Sequence, residues 1–432
     1  MQKKFRVNII VIFLIFIATI MSGCTLYNSS QTPLADDSNS SQEGVEEVVR
    51  ANNAFPFNLY YELDKEEDGN LFFSPYSIFA ALAITYEGAN GQTAEEMREV
   101  FDFPDTEILR SNFAAIYNTI NQNQENYELK TSNALWAQQD YEFLDDYTTT
   151  ISRYYGGETT NLDFRDQAEE SRKTINSYVE SETEGKIKNL FPENSLNSAL
   201  LVITNAIYFK GDWREKFDES NTREEEFKVN SNTTVMADMM HLDPAENSRF
   251  NYADLEQLQI LELPYKGEEV SMLILLPKQG EFYNYESQER ETLNYTLEDI
   301  ELSQEKLNEY KSAMEETEFS SISIPKFEFN TKYQMKELLT NLGMPLAFTE
   351  GADFSSMDGT TTLYIDKVIH QAFVSVNEEG TEAAAATGVV MVQDLVAMSN
   401  TFRADHPFIF VIQHKETDSI LFMGRVVDPT QQ

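Results

Sequence analysis

Apolar and polar positions follow a helical period in the first half of the chain. Apolar residues recur every three or four positions, which predicts five helices, near residues 46–66, 75–87, 93–102, 106–121 and 168–184. Ser74 before Pro75 has the form of a helix start, and Thr93 with Glu96 has the spacing of a capping box. This half of the chain is therefore expected to be mainly helical.

Strand-like runs become frequent after the first helices. They are rich in β-branched and aromatic residues, and they predict strands at residues 127–138, 199–211, 268–277, 321–329, 367–376, 406–415 and 419–427. The last two runs have the form of a hairpin, which indicates a mixed sheet. Helices that come first and strands that dominate later predict an α+β fold.

The segment NEEGTEAAAATGVVMVQ, at residues 377–393, directly follows one of these strand-like runs. It has too few large apolar side chains to be buried, so we interpret it as an exposed loop, with an alanine-rich helical turn as the alternative. If the segment joined a sheet, one face would carry only small residues, namely Thr381, Ala383, Ala385 and Thr387. Such side chains fit between existing strands, and Gly380 could absorb the backbone change.

The beginning of the chain has the features of an export signal. Three basic residues precede an apolar run at residues 9–20, which is short for a membrane span, and small residues follow it. Cys24, the only cysteine, stands in a pattern that resembles the lipobox of bacterial lipoproteins, with Met21 where that motif prefers leucine. The alternative is an ordinary cleaved signal peptide with an incidental cysteine.

These features divide the chain into three predicted parts. Residues 1–23 are a lipoprotein-type signal peptide, and residues 24–45 are an acylated Cys24 followed by a flexible polar linker. Residues 46–432 form one large domain, since no second linker of similar composition follows. The expected location is the cell envelope, outside the cytoplasm and attached to the membrane through Cys24, or the extracellular medium if the protein is released.

Charge and motifs exclude several functions. The formal net charge of −41 disfavours binding to nucleic acid or any other polyanion. No G-x-S-x-G motif, glycine-rich phosphate loop or metal-ligand spacing is present, so we expect no catalytic residues, metal or cofactor. Structural roles are favoured for all four histidines, which are His241, His370, His406 and His414.

Eight segments resemble parts of the serpin family, in the order of that family. They are NLFFSPYSI (70–78), GANGQTAEEM (88–97), TNAIYFKGDW (204–213), IPKFEFNTKYQMKELLTNLGM (324–344), ADFSSM (352–357), LYIDKVIHQAFVSVNEEGTEAAAATGVVM (363–391), ADHPFIFVI (404–412) and SILFMGRVVDP (419–429). The resemblance covers residues 46–430. It implies three β-sheets with about nine helices, an exposed reactive-centre loop and a metastable native state.

The resemblance implies a protease inhibitor and not an enzyme. A serine protease, or sometimes a cysteine protease, cleaves the loop, which then inserts as a new strand in the central sheet and traps the acyl-enzyme. Such a protein is expected to be a monomer that is able to polymerise by loop exchange. Two alternatives stay open: a serpin fold used for binding or storage, and a hydrolase in an unfamiliar fold.

The resemblance also assigns roles to matched residues. The hinge of the loop comprises Glu378, Glu379, Gly380, Thr381, Glu382, Ala383, Ala384, Ala385, Ala386 and Thr387. The shutter, a polar cluster beneath the strands that must part, comprises Ser74, Ser77, Asn205 and His370. The breach, where the loop first inserts, comprises Trp213, Lys326 and Glu378, of which the last two are expected to form an ion pair.

The position of the cleaved bond has two candidates. Family spacing counted forward from the hinge places it at Asp394–Leu395, and spacing counted back from the His-Pro pair at 406 places it at Val396–Ala397. No basic residue lies between residues 381 and 400, so trypsin-like targets are not expected. Asp394 would require an aspartate-directed protease. We favour Leu395 or Val396, which suit chymotrypsin-, subtilisin- or elastase-like proteases.

Overall fold

The computed structural model describes residues 35–121, 126–284, 289–381 and 400–431. Nine α-helices lie in this part of the chain: α1 (Gln42–Asp64), α2 (Pro75–Tyr86), α3 (Gly91–Phe101), α4 (Thr106–Ile120), α5 (Asp145–Tyr154), α6 (Ala168–Glu182), α7 (Gln304–Ser312), α8 (Met335–Leu342) and α9 (Ser355–Asp358). The five predicted helices correspond to α1–α4 and α6. No described helix is both long enough and apolar enough to cross a membrane.

Nineteen strands lie among the described residues. They are β1 (Leu71–Phe73), β2 (Tyr127–Gln138), β3 (Glu158–Leu162), β4 (Leu201–Asp212), β5 (Arg223–Asn230), β6 (Thr233–Leu242), β7 (Phe250–Asp254), β8 (Leu258–Pro264), β9 (Val270–Pro277), β10 (Gln279–Asn284), β11 (Glu289–Asn294), β12 (Glu315–Thr317), β13 (Phe319–Pro325), β14 (Phe327–Gln334), β15 (Ile365–Val376), β16 (Gly380–Thr381), β17 (Asn400–Arg403), β18 (Phe408–His414) and β19 (Ser419–Val426).

These strands form three large sheets and one hairpin. The central sheet has the order β14-β15-β16-β4-β2-β3, the second sheet has the order β1-β19-β18-β9-β8-β7-β12, and the third has the order β17-β13-β6-β5. The remaining pair, β10 and β11, is an antiparallel hairpin. The described residues thus contain the mixture of helices and three principal sheets that the sequence predicts.

The middle of the central sheet is split at one end. Strands β15 and β4 run parallel and pair directly from Ile365 opposite Leu201 to Ala372 opposite Ile207. Beyond this stretch, the two-residue strand β16 lies between them and is antiparallel to both. The sheet therefore already accommodates a third strand at its open end.

Helices cover both faces of this split sheet. Helix α2 is buried along its whole length and contacts β4, β2 and β19. Apolar side chains of β4 alternate between the two faces of the sheet. On one face, Val202 and Ala206 join Ile369 of β15 in a cluster that includes Ile175 and Val179 of α6. Helix α6 therefore packs against β2 and β4, beside the split.

The predicted capping box is wrong. Helix α3 begins at Gly91, with Asn90 as its N-cap, so Thr93 lies inside the first turn. The hydroxyl of Thr93 accepts a hydrogen bond from the backbone N–H of Asp353 (2.9 Å), and the Glu96 carboxylate accepts one from the backbone of Leu346. Both side chains thus serve tertiary contacts and not the helix start. The Ser74 cap of α2 is confirmed, since Ser74 accepts from the backbone N–H of Ser77.

The predicted strand at residues 321–329 is two strands in two sheets. Strand β13 ends at Pro325 in the third sheet, and β14 begins at Phe327 at the edge of the central sheet. Lys326 stands at the junction, where its backbone N–H donates to the carbonyl of Asp238 (2.8 Å). This break places the Lys326 side chain at the open end of the central sheet.

The folded domain begins earlier than the predicted boundary at residue 46. Ala35 is buried, and its backbone exchanges two hydrogen bonds of 2.8 Å with the side chain of Asn118. Asp36 pairs with Arg153, and α1 begins after Ser41. Ala35 and Asp36 are therefore held against the domain, and residues 42–45 belong to α1, so the predicted linker does not extend to residue 45. The predicted signal peptide and Cys24 lie outside the described residues.

Candidate functional site

The hinge begins with a tight turn at the end of β15. Asn377 and Gly380 exchange backbone hydrogen bonds, and the side-chain oxygen of Asn377 accepts from the backbone N–H groups of Glu379 (3.0 Å) and Gly380 (3.3 Å). Asparagine commonly builds turns in this way. The turn reverses the chain and directs it back between the two strands.

Gly380 lies where a side chain has no room. A Cβ atom there would lie 2.0 Å from the carbonyl oxygen of Gly211 and 2.8 Å from the Cα atom of Asp212. Both are backbone atoms of β4, which cannot move aside as a side chain can. Glycine is therefore needed for the chain to approach β4 at this position.

Thr381 is buried at the open end of the sheet. It is 2% exposed, and its hydroxyl lies 2.7 Å from that of Tyr265, whose ring stacks on Trp213 at a centroid distance of 4.6 Å. Burial raises the pKa of Tyr265, so the phenol keeps its proton. Thr381 thus occupies a buried site beside the rings of Tyr265 and Trp213.

Glu378 anchors the turn through a partly shielded ion pair. Its carboxylate lies 3.0 Å from Lys326 Nζ and accepts a 2.6 Å hydrogen bond from the Thr222 hydroxyl, while the residue is 5% exposed. Burial opposes ionisation, but the bonds from Thr222, its own backbone and Lys326 outweigh it and hold the pKa of Glu378 below its usual value. The carboxylate is therefore charged and fixed in place.

Trp213 holds the backbone of the same turn. Its indole N–H donates to the carbonyl of Asn377 (3.0 Å), and its backbone N–H donates to that of Glu379 (2.8 Å). Lys216 also pairs with Glu379. The three residues predicted for the breach thus lie in contact with one turn, although their role in loop insertion stays a prediction. Thr222, Tyr265 and Lys216 were missed, because nothing in the surrounding sequence distinguishes them from surface residues.

The four predicted shutter residues form one buried cluster below the split. Asn205 on β4 and His370 on β15 are directly opposite each other and hydrogen-bonded. His370 Nε2 accepts from the backbone N–H of Ser74 (3.0 Å), so the Nδ1 proton is donated to Asn205. Burial lowers the pKa of His370 to about 3, which keeps the ring neutral.

The same cluster connects the strands to the start of α2. The Asn205 amide donates to the backbone carbonyl of Ser77 (2.6 Å) and to the side-chain oxygen of Asn133 on β2. The hydroxyl of Ser74 donates to the carbonyl of Leu421 (2.6 Å). Parting β4 from β15 would break the bond between Asn205 and His370. Asn133 was missed, since an asparagine inside a strand pattern gave no sign of its partner.

The neutral state of His370 predicts acid-sensitive stability. The pKa is about 3 in the folded protein and about 6.5 in the unfolded chain. The unfolded state therefore gains protons first, and the stabilising contribution, complete above pH 6.5, is lost as the pH falls towards 3. We expect a loss of about 2 kcal/mol by pH 5. Thermal midpoints measured across this range should fall less steeply in His370→Gln, and equal slopes would contradict the assignment.

A second histidine lies between a serine and a carboxylate, which the sequence did not reveal. His241 Nδ1 is 2.8 Å from the Ser323 hydroxyl, and Nε2 is 3.0 Å from Glu225. The three residues have the composition of a hydrolase triad. Ser323 is only 4% exposed, however, so a substrate carbonyl cannot reach its hydroxyl. This grouping does not form an accessible nucleophilic site.

Part of the predicted loop lies outside the described residues. The structure describes the hinge up to Thr381, and hinge residues 382–387 follow beyond it. The candidate cleavage positions, Asp394, Leu395, Val396 and Ala397, also lie outside. Strand β17 begins the next described segment at Asn400.

Comparisons with known proteins agree with this architecture. Residues 50–429 match the family described as "Serpin (serine protease inhibitor)". A serpin-like protein of Methanosarcina acetivorans is 39% identical, with 99% of each chain covered. The human leukocyte elastase inhibitor is 36% identical, covering 89% of this chain and 100% of that protein. The structure of human thyroxine-binding globulin has a TM-score of 0.78 at 28% identity, covering 90% of this chain and 100% of that one.

The family and the fold predicted from the eight sequence segments are therefore confirmed. The family match extends over most of the chain, and the solved structure has the same arrangement of helices and sheets. Many members of this family inhibit proteases, whereas others do not. The chain belongs to the serpin family.

Proposed function

We propose that this protein is a suicide inhibitor of serine proteases, with cysteine proteases as a second class of target. The observation that carries the proposal is β16, because the start of the hinge already lies as an antiparallel strand between β15 and β4. Full insertion would extend this strand along two edges that now pair with each other. Insertion would replace the parallel pairing of β15 with β4 by two antiparallel pairings, which are slightly more stable per residue.

In the proposed mechanism, insertion of the loop competes with hydrolysis of the acyl bond that joins the loop to the protease. The protease serine attacks the carbonyl at the cleaved bond, the new amine leaves, and the loop stays attached through an acyl bond. If the loop inserts before water attacks, the protease is carried along the sheet. Thr381 is opposite Gly211, and β4 begins ten residues earlier at Leu201, so the strand could extend by about 33 Å and the protease would move by about that distance. The small hinge residues permit rapid insertion because they need no repacking.

The loop composition supports a target with an apolar primary pocket. Residues 382–399 contain no lysine or arginine, and Leu395 and Val396 are the favoured residues before the cleaved bond. The relative named leukocyte elastase inhibitor is consistent with this class. Chymotrypsin-, subtilisin- and elastase-like proteases are therefore the first candidates.

Binding or storage is the second candidate function. Thyroxine-binding globulin has the same fold, and its structure is a complex with thyroxine. A protein that only binds ligands has no need for an insertable hinge, so residues 381–387 of this chain favour inhibition. The hydrolase alternative is disfavoured because Ser323 is buried.

We further propose that the mature protein is tethered outside the cytoplasm through a lipid on Cys24. The apolar run at residues 9–20 and the lipobox-like residues before Cys24 support this location. Mass spectrometry of the native protein should find a mature chain that begins with an acylated Cys24. An unmodified mature N-terminus would contradict the anchor without affecting the proposal of inhibition.

The Lys326–Glu378 pair is expected to hold the turn that carries Glu378 in place at the open end of the central sheet. Lys326→Ala removes the cation that pairs with a carboxylate only 5% exposed, so the turn should dock less firmly. We expect faster polymerisation or a loss of inhibition, measured by native gels and by titration against the target. Lys173→Ala, at an exposed position on α6, is the control. Unchanged polymerisation and inhibition in Lys326→Ala would refute this role.

A gel assay tests the proposed function. The purified protein is incubated separately with subtilisin, chymotrypsin and elastase, and the products are separated on denaturing gels. We expect a complex that survives denaturation, and mass spectrometry of its peptides should locate the cleaved bond among residues 394–397. Cleavage by all three proteases without any stable complex would favour the binding function.

A further inference from the structure

The split of the central sheet is longer than the described strand that lies in it. Direct pairing of β15 with β4 ends at Ala372 opposite Ile207, and the described part of β16 ends at Thr381. Residues 373–375 of β15 and residues 208–210 of β4 lie between these two stretches. No described strand lies between them. This three-residue stretch of the split is called the gap below.

The register of β16 determines which residue would enter the gap first. Thr381 is opposite Gly211 on β4 and already pairs with β15 on its other side. Pairing in an antiparallel ladder advances by one residue on each strand, so Glu382 would lie opposite Lys210 on β4 and Ser375 on β15. Residues directly opposite each other project from the same face of a sheet. The carboxylate of Glu382 would therefore lie between the side chains of Lys210 and Ser375.

The ammonium group of Lys210 has no ion-pair partner in the described part of the chain. Glu128 is directly opposite on β2, but its carboxylate pairs with Lys130 (2.8 Å). Glu184 also pairs with Lys130. Acidic residues outnumber basic ones by 73 to 32, yet the half-buried Lys210 is left without a carboxylate beside the gap.

The charges across this row of the sheet have a place for one more carboxylate. From β2 to β14, the row consists of Glu128, Lys210, the gap, Ser375 and Glu328. Glu382 would place a negative charge beside Lys210, and the Ser375 hydroxyl would be free to donate to it. Glu328 would be two strands away, at about 10 Å. Opposite charges on facing residues stabilise a sheet and like charges destabilise it, so the row favours a carboxylate in the gap.

We infer that Lys210 is a positioning residue that receives the carboxylate of Glu382 when the hinge enters the gap. The inference rests on the proposed function, because it concerns the insertion that traps the protease. The pair would fix the register of the entering strand, since a slip of one residue would turn the carboxylate towards the buried face. It would also favour insertion over hydrolysis of the acyl bond.

Charge reversal tests this pair. Lys210→Glu would bring two carboxylates together, and Glu382→Lys would bring two ammonium groups together. We expect each variant to slow insertion at least tenfold, so that at least tenfold more loop is cleaved per protease trapped. The double variant Lys210→Glu/Glu382→Lys restores opposite charges and should return this ratio to within threefold of the wild type. Lys173→Glu, the same reversal at an exposed position on α6, is the control and should leave the ratio unchanged.

Salt provides a second measurement, which also serves if Lys210→Glu folds poorly. Lys210→Gln removes the charge and keeps most of the side chain. We expect about threefold more cleaved loop per trapped protease at low salt. The difference from the wild type should vanish in 1 M NaCl, where the Debye length is about 3 Å. A loss of packing alone would not depend on salt. An equal effect of Lys210→Gln at both salt concentrations, or no rescue in the double variant, would overturn the role of Lys210.

Failure of this inference and failure of the proposed function give different results. A wild-type protein that traps protease, with no effect of Lys210→Glu, would refute the role of Lys210 alone. A wild-type protein that traps none of the proteases would refute inhibition. In that case, thermal unfolding of the loop-cleaved proteins still tests the pair. Cleaved Lys210→Glu should unfold at a lower temperature than the cleaved double variant, and equal temperatures would refute the pair.

Discussion

We expect Thr381→Arg to convert the proposed inhibitor into a substrate of its target protease. Thr381 is 2% exposed, and its hydroxyl contacts Tyr265 beneath the open end of the sheet. A guanidinium there would be buried without an opposing charge, at a cost of several kcal/mol. Because residue 381 already lies between the two strands, arginine would displace β16 from the sheet. A penalty of about 3 kcal/mol for its return during insertion slows insertion more than a hundredfold. Water would then hydrolyse the acyl bond first.

Thr381→Val is the matched control for this prediction. Valine has nearly the shape of threonine and carries no charge, so it loses only the hydrogen bond to Tyr265. Covalent complex and cleaved product are quantified on denaturing gels for both variants. We expect product alone with arginine and mostly complex with valine. Complex formation by Thr381→Arg at the wild-type level would show that inhibition does not require residue 381 to lie in the sheet.

The second large effect is expected at Asn205. Asn205→Ala would leave three buried groups without their partner: the Nδ1 proton of His370, the backbone carbonyl of Ser77 and the side-chain oxygen of Asn133. Each buried group that loses its hydrogen bond costs about 1–3 kcal/mol. We therefore expect a lower thermal midpoint and faster polymerisation, because this cluster joins the two strands that the proposed insertion would separate.

An exposed asparagine provides the comparison for Asn205→Ala. Asn308 lies on the exposed surface of α7, where alanine is a better helix former, so Asn308→Ala should leave the midpoint unchanged or slightly higher. Scanning calorimetry and native gels of heated samples measure both effects. Equal midpoints for the two variants would mean that the buried cluster does not hold the central strands together.

The local pattern of residues predicted helices and strands but not which sheet each strand joins. The twelve residues of β2 were predicted to the residue, because their strand composition ends at clear polar boundaries. The run at residues 321–329 was read as one strand, since nothing local shows that Lys326 passes from one sheet to another. Sheet membership depends on distant partners such as Asp238.

Family-like segments predicted which residues lie at the split of the central sheet, but not that the start of the hinge already lies between its strands. Family-like segments identified Asn205, His370 and Lys326, and the structure places each of them at the split of the central sheet. That Thr381 already lies in the sheet was not predictable, because its position depends on Tyr265, which is 116 residues away in the chain. Contacts at that sequence separation leave no local pattern.

The central claim is that the loop inserts between β15 and β4 once it is cleaved. The most direct test cleaves the loop with a protease that is not trapped and compares thermal unfolding of the cleaved and intact proteins by calorimetry. We predict a markedly higher unfolding temperature after cleavage, because the new strand pairs with both neighbours. An unchanged or lower unfolding temperature, with cleavage mapped within residues 382–399, would contradict insertion.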